Sequence, residues 1–96
     1  MRKIFIAGNW KMNLTRSGAV DLTAGLVDQL ADNAAVDVAI CPSSGFLSEV
    51  ASQLASSAVA LGAQNLYPAE AGAYTGELNA EMLIDLGCTY VILGHS

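Results

Sequence analysis

The sequence predicts an α/β fold built on a parallel sheet, and three observations carry that reading. Four short apolar runs rich in β-branched residues, Lys3–Gly8, Val36–Ile40, Val59–Ala63 and Tyr90–Leu93, read as strands. Within Ile4-Phe5-Ile6 and Val91-Ile92-Leu93 the apolar residues are consecutive, the pattern of strands buried on both faces. The strands begin at Lys3, Val36, Val59 and Tyr90, close to the roughly 30-residue cadence of βα units.

Parallel strands need crossovers, so helices belong between them. The first is predicted from about Ser17 to Asp32, where Val20, Ala24, Val27 and Ala31 repeat at helical spacing and Thr15 or Ser17 can cap the start. The second, from about Ser44 to Ala55, opens after Pro42 with serine caps and presents Phe46, Leu47, Val50, Ala51 and Leu54 as one stripe. The third is short, with Asn79 as N-cap, Glu81 at the positive end of the helix dipole and Gly87 as the stop. One connection is out of proportion. Leu66 to Leu78 exceeds by at least twofold the usual strand-to-helix loop of about 2–6 residues, and its Tyr67 and Tyr74 suggest packing within it.

Composition narrows the function classes. The chain has 96 residues, 53% hydrophobic and 14% charged, with a formal net charge of -5 at pH 7, as befits a foldable globular sequence. Arg2, Lys3, Lys11 and Arg16 are its only Lys or Arg residues. The absence of a basic face argues against nonspecific nucleic-acid binding. No segment approaches the roughly 20 apolar residues of a membrane helix, and the apolar start is shorter than a signal-peptide core, so a cytoplasmic protein is expected. Cys41 and Cys88 lack CxxC spacing and read as reduced, buried, structural thiols; His95 alone cannot complete a metal site with them.

The polar residues with chemical potential gather after strands: Asn9 and Lys11 after the first, Cys41 and Ser43 after the second, Gln64 and Asn65 after the third, His95 and Ser96 after the fourth. In parallel α/β folds that edge binds ligands, whether the sheet closes into a barrel or stays open and doubly wound. Lys11, just past a buried strand, suits an anionic substrate such as a phosphate ester, although position alone favours an ordinary surface lysine over that role. His95 after Gly94 is the single imidazole, and by position alone it reads as well as a structural residue as a catalytic one.

Four segments taken together are more specific. Ala7-Gly8-Asn9-Trp10-Lys11-Met12-Asn13, Gly62-Ala63-Gln64-Asn65, Gly72-Ala73-Tyr74-Thr75-Gly76-Glu77 and Leu93-Gly94-His95-Ser96 closely resemble the triosephosphate isomerase family, in order and along the whole chain. The resemblance implies a (β/α)8 barrel, of which residues 1–96 are the first three βα units and the fourth strand: the N-terminal part of a single, incomplete barrel domain. It implies interconversion of dihydroxyacetone phosphate and D-glyceraldehyde 3-phosphate through an enediolate, with neither metal nor organic cofactor. Lys11 then anchors the phosphorylated triose, with Asn9 beside it as a hydrogen-bond donor. His95 is the neutral electrophile, a role taken from the family's known chemistry and not from any feature of these residues. Tyr74, Thr75, Gly76 and Glu77 belong to a dimer loop entering a partner subunit of a homodimer, while Gln64, Asn65 and Ser96 support the site.

The family's glutamate base, its mobile lid and its late phosphate-gripping loops have no counterpart in these residues. The chain by itself is therefore expected to be inactive and, with uncovered edge strands, poorly folded or self-associating. Two other readings remain open: a non-catalytic module that binds a phosphate ester or pairs with isomerase subunits, and an open receiver-like or flavodoxin-like sheet. Cys41-Pro42-Ser43-Ser44-Gly45-Phe46 departs from the family's more usual proline-rich, aromatic turn, and Leu14 stands where a small residue is common.

Overall fold

A computed structural model describes residues 3–33 and 35–94. The chain runs β1 (Ile4–Asn9), α1 (Arg16–Gln29), β2 (Val36–Cys41), α2 (Leu47–Leu54), β3 (Ala60–Ala63), α3 (Ala80–Asp85) and β4 (Cys88–Val91), with a 3-10 turn, Ser44–Phe46, leading into α2. All three strand pairings are parallel and the order is β1-β2-β3-β4. β1 and β2 pair along their full length, from Ile4 opposite Val36 to Asn9 opposite Cys41. The β3–β4 ladder is irregular between Leu61 and Gly62.

Sequential order already differs from an open doubly wound sheet, where the strand order reverses at a switch point. Curvature separates the two further. Phe5 on β1 and Tyr90 on β4 belong to opposite edges of the sheet, yet their ring centroids lie 4.7 Å apart. Across a flat sheet, three strand spacings would hold them about 14 Å apart. The sheet is therefore rolled, with these rings meeting inside the roll, as in an arc of a barrel.

The core lies on the helix side, where Ile40, Leu61 and Ala63 of the sheet meet Leu47, Val50 and Leu54 of α2 and Leu83 of α3. The stripe expected on the second helix is thus the one buried. On α1 the expected face is displaced. Ala24 and Ala31 are exposed, while Ala19 and Thr23 are fully buried and Val20 and Val27 partly so. The reason is steric and polar together: small residues let α2 approach, and the Thr23 hydroxyl donates to the Ala19 carbonyl at 2.8 Å, so a residue counted as polar is buried without penalty. Gln53 of α2 ties the pair by donating to the Val20 carbonyl at 2.9 Å.

The helix ends follow their local chemistry in two cases of three. Thr15 caps α1, accepting from Gly18 N at 3.4 Å, and Asn79 caps α3, accepting from Met82 N at 3.0 Å. Gly87, at φ +98°, ends α3 in the left-handed conformation that glycine tolerates best. The expected serine caps on the second helix are absent: Ser43 precedes the 3-10 turn without a side-chain cap bond, and Phe46 precedes α2. No helix among the described residues is long and apolar enough to cross a membrane.

Candidate functional site

The C-terminal ends of β1, β2 and β3 converge on one backbone group, the carbonyl of Lys11. β1 ends at Asn9, whose side-chain oxygen accepts from Lys11 N at 3.0 Å. That local turn orients the carboxamide and leaves its NH2 group as a donor. Trp10 N continues the ladder onto the Cys41 carbonyl at 3.1 Å. The chain then bends abruptly, because Lys11 adopts φ +58°, the left-handed region that non-glycine residues rarely occupy. Its side chain belongs to an exposed residue and makes no ion pair among the described residues, in contrast to Lys3 with Asp37 at 3.1 Å and Arg16 with Glu49 at 3.6 Å.

Two side chains from later strands hold this bend. Gln64, just past β3, donates from Nε2 to the Lys11 carbonyl at 2.8 Å and to the Cys41 carbonyl at 2.8 Å. Ser43, just past β2, donates from Oγ to the same Lys11 carbonyl at 2.9 Å. Asn9, Lys11, Ser43 and Gln64 are thus assembled at one edge of the sheet. Sequence reasoning gathered them there but missed that Ser43 and Gln64 share an acceptor, since a bond to a backbone carbonyl leaves no signature in the acceptor's residue type.

Beside Gln64 a recess of about 150 Å³ is lined by residues including Asn65, Gly76 and Glu77, so the end of β3 and the long connection border one space. That connection is ordered by its own contacts. Tyr67 N donates to the Leu78 carbonyl at 2.8 Å, closing its base, and the Tyr67 and Tyr74 rings stack with centroids 4.4 Å apart. Thr75 lies at the exposed tip, between Tyr74 and Gly76, and Gly76 turns the chain at φ +86°. His95 and Ser96 lie outside the described residues.

Both thiols are buried and unpaired. Burial pushes the pKa of Cys41 up, with Cys88 adding to it, and burial likewise raises that of Cys88. They are therefore protonated packing groups at neutral pH. Cys41 fits against Gly62, where a Cβ would stand 2.6 Å from its Sγ.

The family profile described as "Triosephosphate isomerase" matches residues 4–96. The chain belongs to the triosephosphate isomerase family. Among curated relatives it is 55% identical over 95 residues to a triosephosphate isomerase of Rhodopirellula baltica, covering 99% of this chain and 37% of the relative. It is 50% identical over 97 residues to that of Magnetococcus marinus and 51% identical over 96 residues to that of Carboxydothermus hydrogenoformans, each alignment covering 100% of this chain and 38% of the relative. The chain thus spans well under half the length of the relatives it matches. Its rolled parallel sheet with alternating helices is the corresponding arc of the family's α/β barrel.

Proposed function

We propose that these residues supply the lysine-and-histidine portion of a triosephosphate isomerase site, working on dihydroxyacetone phosphate and D-glyceraldehyde 3-phosphate. The observation that carries the reading is Lys11: a cation without an ion-pair partner among the described residues, fixed by a left-handed turn at the edge of the sheet where barrel enzymes bind their ligands. In this reading its ammonium attracts the phosphorylated triose and stabilises negative charge at the reacting oxygens, where a fixed charge in a preorganised site is most effective. Asn9, whose carboxamide oxygen is already engaged by Lys11 N, turns its NH2 toward substrate. His95 is the electrophile that polarises the carbonyl and handles protons at the two enediolate oxygens.

Catalysis also needs a base to remove the carbon-bound proton, and the family's glutamate has no counterpart here. The chain alone is accordingly read as binding without turning over, and the complete reaction, a step of glycolysis and gluconeogenesis in the cytoplasm, as belonging to a whole barrel. Gln64, Asn65 and Ser96 support the site. The exposed tip at Thr75, with Tyr74, Gly76 and Glu77, is read as the part that enters a partner subunit in a homodimer.

Isomerase turnover in the protein expressed from its complete coding frame, compared with Lys11→Met, tests this. Loss of one preorganised charge is expected to lower kcat/KM by on the order of 100-fold or more. Turnover equal to the parent would overturn the assignment of Lys11. For the 96-residue chain alone, turnover would show that something other than the family's glutamate supplies the base and would overturn the reading of the chain as inactive.

A further inference from the structure

We propose that Ser43 is a positioning residue for Lys11, giving up the capping of its own helix to hold the lysine's backbone in the left-handed conformation. The proposal rests on the reading of Lys11 as the anion anchor and extends it to a residue outside the matched motifs.

Ser43 stands where a serine ordinarily caps a helix, immediately before the 3-10 turn, and its backbone carbonyl does accept the first bond of that turn, from Phe46 N at 2.9 Å. A capping serine uses its side-chain oxygen to accept from the helix N–H groups. Here no side-chain cap bond forms. The hydroxyl instead donates across the sheet edge to the Lys11 carbonyl, at 2.9 Å and 32 positions away in the chain. Such a diversion needs a return, and the acceptor identifies it. The Lys11 carbonyl belongs to a residue at φ +58°, and rotating that residue into the ordinary right-handed region would swing the carbonyl away from its donors.

Gln64 donates to the same oxygen at 2.8 Å but divides its amide between Lys11 and Cys41, so it also ties β1 to β2. The recorded hydrogen bond of the Ser43 side chain goes to Lys11 alone. Removing the Ser43 hydroxyl therefore loosens the lysine while leaving the strand-to-strand tie in place. The predicted consequence is specific to anions: a lysine that samples other backbone conformations presents its ammonium at the site for a smaller fraction of the time, and affinity falls by that fraction.

The test is calorimetric titration of glycerol 3-phosphate, a phosphate monoester without the reacting carbonyl, into the protein expressed from its complete coding frame at low ionic strength. Parent, Ser43→Ala, Ser43→Thr, Lys11→Met and the double variant Ser43→Ala/Lys11→Met are compared. Loss of one hydrogen bond to the carbonyl is expected to raise Kd roughly three- to tenfold in Ser43→Ala. Ser43→Thr, which keeps the hydroxyl, should restore parent-like binding. In the Lys11→Met background the serine substitution should have no further effect. Equal Kd values for parent and Ser43→Ala would overturn the proposal, as would an undiminished effect of Ser43→Ala without the lysine. Parent-like binding by Lys11→Met would instead refute the anchor reading itself. Should Ser43→Ala fail to fold, Ser43→Cys, which preserves shape and weakens the donor, carries the same comparison.

Discussion

Gly62→Ala is the most informative single perturbation of the sheet. A methyl built on Gly62 would lie 2.6 Å from Cys41 Sγ and 3.4 Å from both Cβ and the carbonyl oxygen of Tyr90. Ordinary contacts are about 3.5–4.0 Å, so the sulfur must move by about 1 Å, and the Tyr90 atoms block relief in the other direction. Cys41 is only 1% exposed, which leaves its side chain little room to rotate away. Overpacking of this kind costs about 1–3 kcal/mol. With a urea slope of about 3 kcal/mol/M for a complete barrel, the denaturation midpoint should drop by roughly 0.3–1 M.

The same geometry names the suppressor. Cys41→Ala removes the obstructing sulfur at a cost of about 1 kcal/mol, comparable to one buried methylene, and the new methyl at position 62 then occupies vacated space. The double variant should be no less stable than Cys41→Ala alone, giving a coupling of at least about 1 kcal/mol between the two sites. Urea denaturation of the protein expressed from its complete coding frame, followed by far-UV circular dichroism, reads all four corners of the cycle. Strictly additive effects, or a Gly62→Ala protein as stable as its parent, would refute the reasoning.

Gly25→Ala should do the opposite of Gly62→Ala, because Gly25 lies within α1 with nothing within 4 Å of its would-be Cβ; a gain of about 0.5–1 kcal/mol is expected in the same assay. Gly76→Ala, at φ +86°, should lose about 1 kcal/mol despite equally open space, since the penalty there is conformational. Removing the Asn79 cap by Asn79→Ala should cost about 1 kcal/mol, and Thr15→Ala less, as the respective cap bonds are 3.0 and 3.4 Å long. The buried thiols make stability pH-dependent: the native state holds their protons more tightly than the unfolded chain, so their contribution is complete below about pH 8.5 and is lost as pH rises through the native pKa values. The urea midpoint should therefore fall above that pH, and replacing both cysteines with alanine should flatten the decline.

The elements that local chemistry dictates were legible in the sequence. Asn79, through its side-chain cap, and Gly87, through its left-handed backbone, delimit α3, and each apolar run contributes to a strand, although Ile92 and Leu93 fall outside β4 and Ile4, Phe5 and Ile6 are exposed where burial on both faces was expected. β4 begins earlier than its apolar run, at Cys88, because its extent is set by pairing with Leu61–Ala63 of β3 and not by its own hydropathy. The buried face of α1 was misplaced for a similar reason. Which residues go inward depends on how closely α2 can approach, and Ala19 and Thr23 fit that contact better than a hydrophobicity pattern indicates. At the candidate site, sequence position brought Asn9, Lys11, Ser43 and Gln64 to one edge. The left-handed Lys11 and its two tertiary donors were not legible, since backbone conformation at a lysine and hydrogen bonding to its carbonyl are imposed by the assembled fold.

That imposition ties the fold to the chemistry. Holding a non-glycine residue in the left-handed region costs roughly 1–2 kcal/mol, and two hydrogen bonds to its carbonyl return about 0.5–1.5 kcal/mol each. The balance is near zero, so neither the local sequence nor either donor acting singly favours the bend decisively. The donors come from 32 and 53 residues further along the chain, one past β2 and the other past β3. In the unfolded chain neither donor is in place, and the conformational penalty stands alone. Lys11 therefore acquires its orientation only when β1, β2 and β3 have docked in register, which makes the backbone conformation at this lysine a consequence of sheet assembly and not of the segment that carries it.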